Sequence, residues 1–156
     1  MNKIFVGIFY IVGVIILKLY FTKNSSNENS NAMFLAFWLS FTICPFIING
    51  LTEFYFSRNL KKAFTISTIL LPAAFFTWSG FFLSKALNIQ AGARVPIVFC
   101  ITFIVVFLLK EINKKELKDY NWGWCLLMSL VVCLGLICGL LLAQPTYSMF
   151  QSIISY

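Results

Sequence analysis

Apolar residues fall along this chain in long blocks, not in strict alternation. The blocks run from about Ile4 to Phe21, Ala32 to Phe56, Ala63 to Lys85, Val95 to Leu109 and Trp122 to Ala143. A helix needs about 20 such residues to cross a hydrocarbon core roughly 30 Å thick. In lipid every backbone amide must find its partner inside the protein, and no ten-residue strand pattern is visible. The pattern therefore predicts an all-α fold, a polytopic bundle of five transmembrane helices forming one membrane domain with no soluble domain.

The breaks between blocks are polar. "TKNSSNENSN" ends the first span; Arg58, Lys61 and Lys62 end the second. "ALNIQAGARVP" turns the third into the fourth, "KEINKKELKDYNW" separates the fourth from the fifth, and "QPTYS" marks the last exit. A four-span alternative treats residues 63–109 as one crossing plus a re-entrant piece. As helix, that 47-residue stretch rises about 70 Å, enough for two crossings. The first span starts like a signal peptide but runs into Lys18, Tyr20 and Phe21 without a small-residue cleavage pattern, so it reads as a retained anchor.

Composition agrees with this class. The chain is 60% hydrophobic and 11% charged, with a mean hydropathy of +0.89, too little polar surface to cover a soluble globule. The net charge of +7 sorts by topology. Five spans put Lys3, Arg58, Lys61, Lys62, Lys110, Lys114, Lys115 and Lys118 on one side, and Lys18, Lys23, Lys85 and Arg94 on the other. The richer side belongs in the cytoplasm, with the N-terminus inside and the C-terminal "TYSMFQSIISY" outside. The partner that this charge calls for is the lipid bilayer, with its anionic headgroups; it calls for no nucleic acid.

Against that background a few residues stand out. In "TICPFIINGLTEFYF" (residues 42–56), Pro45, Asn49 and Glu53 follow at four-residue steps on one helix face. Pro45 frees the carbonyl of Phe41, which Thr42 or Ser40 could re-satisfy, and predicts a kink. Glu53 is the one carboxylate assigned to a span, within about one turn of its cytoplasmic end and five residues before Arg58. Its plainest reading is an ion pair with Arg58, Lys61 or Lys62 at the membrane surface; recognition of a partner and ion transfer are the sharper ones. Lys18, near the opposite end of its span, is not a candidate to pair with it.

Gly135, Gly139 and Ala143 make a small-residue stripe for close helix packing, inside the bundle or in a homo-oligomer. Phe75, Phe76, Trp78, Phe81 and Phe82 crowd the third span, so some of them must face lipid or a partner. Tyr120, Trp122 and Trp124 resemble an interfacial aromatic belt.

The inventory argues against chemistry. The chain has no histidine, the commonest metal ligand and general base. Cys44, Cys100, Cys125, Cys133 and Cys138 show no redox or zinc spacing and read as apolar packing residues. Glu28, Glu111, Glu116 and Asp119 are assigned to loops, and no phosphate loop or nucleophile elbow occurs. The expectation is a protein that is not an enzyme and has no cofactor, metal or catalytic residues.

The stretch "LKLYFTKNSSNENSNAMFLAFWLSFTICPFIINGLTEFYFSRNLKKAF" resembles the inner-membrane immunity proteins that protect bacteria from pore-forming colicins. The shared features are an apolar span running into "TKNS", a short polar outer loop, Cys44 and Pro45 followed by aromatic Phe46, and Glu53 beside Phe54 before a basic loop. The likeness covers roughly residues 15–63, under a third of the chain. That family typically has three or four spans, and residues 64–156 add nothing to the likeness. The resemblance implies lateral recognition of a toxin's pore helices in the bacterial inner membrane. It makes Asn49 and Glu53 polar contacts or determinants of bundle shape, and Lys85, Arg94 and the "TKNSSNENSN" loop the first outer contacts. The alternatives are an accessory subunit of a larger membrane complex, motivated by the aromatic span and the small-residue stripe, and a small oligomeric channel or transporter lined by the Glu53 face.

Overall fold

A computed structural model of the chain describes residues 2–24 and 27–154. Six helices follow one another: α1 Lys3–Asn24, α2 Asn27–Ser57, α3 Leu60–Leu70, α4 Ala73–Ala86, α5 Ala91–Ile112 and α6 Trp122–Ile154. No strand occurs among the described residues. The helices α3 and α4 act as one crossing, so five segments are long and apolar enough to span a membrane: Lys3–Lys23, Ser30–Ser57, Leu60–Ala86, Ala91–Ile112 and Trp122–Ile153. The chain is a helical bundle of membrane-protein character, and residues 63–109 belong to two of its crossings.

Several boundaries depart from the hydropathy blocks. The third span is broken at Leu71–Pro72. Proline has no N–H to give to the carbonyl one turn back, and its ring crowds that carbonyl. The backbone responds with a tighter turn, in which the Leu71 N–H donates to Thr68 O at 3.3 Å and the Phe75 N–H to Pro72 O at 3.2 Å. The polar tract after α1 is largely helical, with α1 reaching Asn24 and α2 starting at Asn27; Ser25 and Ser26 lie outside the described residues. α5 extends to Ile112 and so includes Glu111, which pairs with Lys114 at 2.8 Å. α6 continues through Pro145 to Ile154. There Thr146 Oγ1 donates to Leu142 O at 2.7 Å, and Ser148 Oγ to Gln144 O at 3.2 Å. These hydroxyls keep backbone carbonyls partnered past the proline. Ser155 and Tyr156, the end of the expected outer tail, lie outside the described residues.

The aromatic helix turns mostly inward. Of the α3–α4 span 56% is buried, against 17% for α5, so the span that carries the ring cluster of residues 75–82 is the core of the bundle. Phe75 packs edge-on to Tyr10 of α1 at 5.4 Å, Trp78 meets Phe41 of α2 at 5.3 Å, and Tyr20 lies against Phe82 at 3.9 Å. Phe81 alone of the five is exposed, with Phe76 and Phe82 half-buried. Edge-to-face pairs of this kind add to simple area burial. Between α4, α5 and α6 a buried polar contact joins Thr77 Oγ1 and Thr102 Oγ1 at 2.8 Å, with Cys133 Sγ donating to Thr102 at 3.8 Å. The five cysteines are free.

Polar contacts tie the helices together at each end of the bundle. The Asn2 N–H donates to Asn113 Oδ1 at 2.8 Å, joining the start of α1 to the α5–α6 connection. At the far end, Lys18 Nζ donates to Asn31 Oδ1 at 2.5 Å and lies 4.9 Å over the Phe34 ring.

Candidate functional site

The site is built on the seam between α2 and α6. Gly135, Gly139 and Ala143 all face inward and are buried. A Cβ placed on Gly135 would stand 2.8 Å from the Pro45 Cα, and one on Gly139 would stand 3.1 Å from the Ser40 carbonyl oxygen. The helices thus touch backbone to backbone, which only small residues allow. α2 supplies the matching half: Ala32, Ala36 and Ser40, again four apart and buried. The antiparallel register set by Pro45 with Gly135 and Ser40 with Gly139 brings Ala36 level with Ala143. This second stripe was readable in the sequence as a four-residue repeat of small side chains, and went unread. Because α2 covers the stripe on α6, self-association through that face is closed off.

α2 runs through Pro45 as one helix, and the proline serves as a seat for Gly135. Thr42, with Ser40 an expected partner of the freed Phe41 carbonyl, shares a hydrogen bond with Tyr10 OH at 3.1 Å, and Trp38 Nε1 donates to the same Tyr10 oxygen at 2.8 Å.

Below Pro45 the same face of α2 carries Asn49 and then Glu53. Asn49 is fully buried, and neither amide atom meets a protein partner. Glu53 is 2% exposed. Its Oε1 accepts from Tyr120 OH, and its Oε2 accepts from Trp124 Nε1 at 3.3 Å. The expected partners do not reach it: among the described residues Glu53 forms no ion pair. Arg58, in the left-handed region at φ 54°, lies 5.4 Å over Tyr55. Lys62 Nζ lies 4.8 Å over the Tyr120 ring. Tyr120 and Trp124 are therefore ligands of Glu53, while Trp122, 63% exposed, keeps the belt role. Sequence patterning has no signal for a contact across 67 positions.

These groups line a cleft of ≈ 380 Å³ whose wall includes Glu53, Phe56, Lys62, Tyr120, Trp124 and Met128. Burial pushes the Tyr120 phenol well above its ordinary value of 10.0, and the hydrogen bond and negative charge of Glu53, with Asp119, push the same way. A raised folded value means that the phenol's contribution to stability is complete below about pH 10 and is lost as pH rises beyond it. In an ultraviolet titration of folded protein, Tyr120 should ionise above its ordinary value, and Tyr120→Phe should remove that late step. A Tyr120 that titrates at its ordinary value would contradict the burial and the bond.

Lys85 and Arg94 lie at the other end of the bundle from Asn49 and Glu53, so the four candidates do not form one site. Arg94 Nε donates to Ile89 O at 2.8 Å and fixes the α4–α5 turn; Lys85 is exposed. Among the described residues no three His, Cys, Asp or Glu side chains gather as a metal site would need. A carboxylate held by two neutral donors can fasten α2 to the α5–α6 connection and the start of α6. Comparison with protein-family models, characterised proteins and solved structures found no match.

Proposed function

We propose that the protein acts without catalysis, by recognising another protein inside the membrane, in the manner of the immunity proteins against pore-forming colicins. The observation that supports this reading is the fastening of Glu53. Glu53, buried about one turn from the end of its span, is committed to Tyr120 and Trp124 of its own bundle, so the interior is architecture and the outward surface is left to act. That surface is apolar and lateral: Ile4, Ile8, Ile11 and Ile15 on α1, and Val95, Ile104 and Leu108 on α5, are exposed. Helices inserted from a toxin would meet it by packing, the interaction available between helices in lipid. Of the residues that resemble the immunity family, Pro45 is seated on Gly135 and Glu53 is fastened to Tyr120 and Trp124, which favours a bundle-shaping role for these two.

On this reading the membrane is the bacterial inner membrane, with the basic end cytoplasmic, the N-terminus inside and the C-terminus outside. An accessory-subunit role draws less support, since the aromatic span and the small-residue stripe that motivate it are both covered within the bundle. An ion pathway would need Glu53 to face a passage, and its two donors occupy it.

The test is survival. Sensitive cells expressing the full chain should form colonies on at least one pore-forming bacteriocin, at a concentration that clears the vector control. Glu53→Gln, which keeps an acceptor for Trp124, should protect nearly as well. Membrane-inserted protein that protects against no member of a broad panel would overturn the immunity reading.

A further inference from the structure

At the opposite end from Glu53, a groove of ≈ 600 Å³ opens between α1 and α4. Its walls include Leu19, Tyr20, Lys23, Trp78, Phe82 and Lys85. Lys23 and Lys85 stand in the last turns of α1 and α4, both exposed, and neither forms an ion pair among the described residues. Two ammonium groups thus rim one opening, at the level where lysines snorkel to the headgroups. Beneath them the walls are aliphatic and aromatic. Within this wall Trp78 is 9% exposed, and its indole N–H has no partner in the protein. An indole N–H usually finds an acceptor when it is buried.

We infer that this groove is a binding site for one anionic phospholipid, its phosphate between Lys23 and Lys85 and its acyl chains along Leu19 and Phe82. Two cations without counter-ions among the described residues select a negative headgroup, whereas a zwitterionic lipid brings an ammonium that the lysines repel. The apolar walls select a lipid over free phosphate. The walls come from α1 and α4, which are fastened by rings at 3.9 and 5.7 Å, so the groove does not need the lipid in order to exist.

The test uses the full chain in mild detergent, titrated with phosphatidylglycerol, phosphatidylcholine or inorganic phosphate and read by native mass spectrometry. Wild type should retain one phosphatidylglycerol in preference to phosphatidylcholine. Lys23→Gln with Lys85→Gln should weaken that retention about tenfold or more, from roughly a fivefold effect per lysine near a surface. Lys23→Arg with Lys85→Arg, which keeps the charge, should restore it. Equal retention of the two lipids by wild type, retention unchanged in the double glutamine variant, or inorganic phosphate competing fully for the site would each overturn the proposal.

Discussion

Gly135→Ala should destabilise the bundle by about 1–3 kcal/mol, the usual cost of forcing extra atoms into a packed interior, and Gly135→Leu should prevent its assembly. The new Cβ would stand 2.8 Å from the Pro45 Cα. A flexible side chain could swing aside, but a backbone atom can yield only if the whole helix moves. α2 cannot move alone, because Gly139 against Ser40 and Glu53 against Trp124 hold it above and below the same point. Gly7→Ala is the control. Nothing stands within 4 Å of a Cβ there, and alanine favours a helix over glycine by up to about 1 kcal/mol, so this variant should melt with or slightly above wild type. Thermal unfolding in mild detergent, followed by tryptophan fluorescence, reads both. Equal melting of Gly135→Ala and wild type would refute the close seam.

Glu53→Met should destabilise the fold by about 1–3 kcal/mol, by leaving the buried Trp124 N–H and the half-buried Tyr120 hydroxyl without an acceptor. Trp124 is 9% exposed, and no other partner for its indole N–H is in place. Glu53→Gln should be mild, because the amide oxygen can accept from Trp124 while the amide N–H₂ donates to the Tyr120 oxygen. The difference separates a carboxylate needed for its charge from one needed for its shape and acceptors. In detergent, unfolding midpoints should order wild type and Glu53→Gln together, with Glu53→Met well below. A glutamine variant as unstable as the methionine one would mean that the negative charge itself matters, through Lys62 above the Tyr120 ring.

The crossings were legible because hydropathy integrates over about 20 residues, and that sum survives errors at single positions. Pro72 was invisible in the same window: it changes the backbone of one turn and leaves the mean apolarity of Leu60–Ala86 almost untouched. Pro145 misled in the other direction. A proline followed by polar residues reads as an exit, yet hydroxyls at Thr146 and Ser148 return to the backbone and the helix goes on. The small-residue stripe on α6 was visible from its four-residue spacing. Which helix it meets is a matter of tertiary pairing, and that was fixed only when Ala32, Ala36 and Ser40 were seen opposite it. Glu53 was recognisable as unusual from its place in a span, and Asn49 from the same face. The partners of Glu53 were not recognisable, because Tyr120 and Trp124 carry the same interfacial signature as Trp122, and only burial tells the ligands from the belt.

The central claim is that the intramembrane carboxylate is a fastening of the bundle, and a double-mutant cycle between Glu53→Met and Tyr120→Phe measures it. The two single variants should each lose stability, and the double variant, in which two apolar groups face each other, should lose less than their sum by about 1 kcal/mol or more. Losses that simply add would show that Glu53 and Tyr120 do not act on each other, and would return the carboxylate to the list of groups free to serve a passing ion.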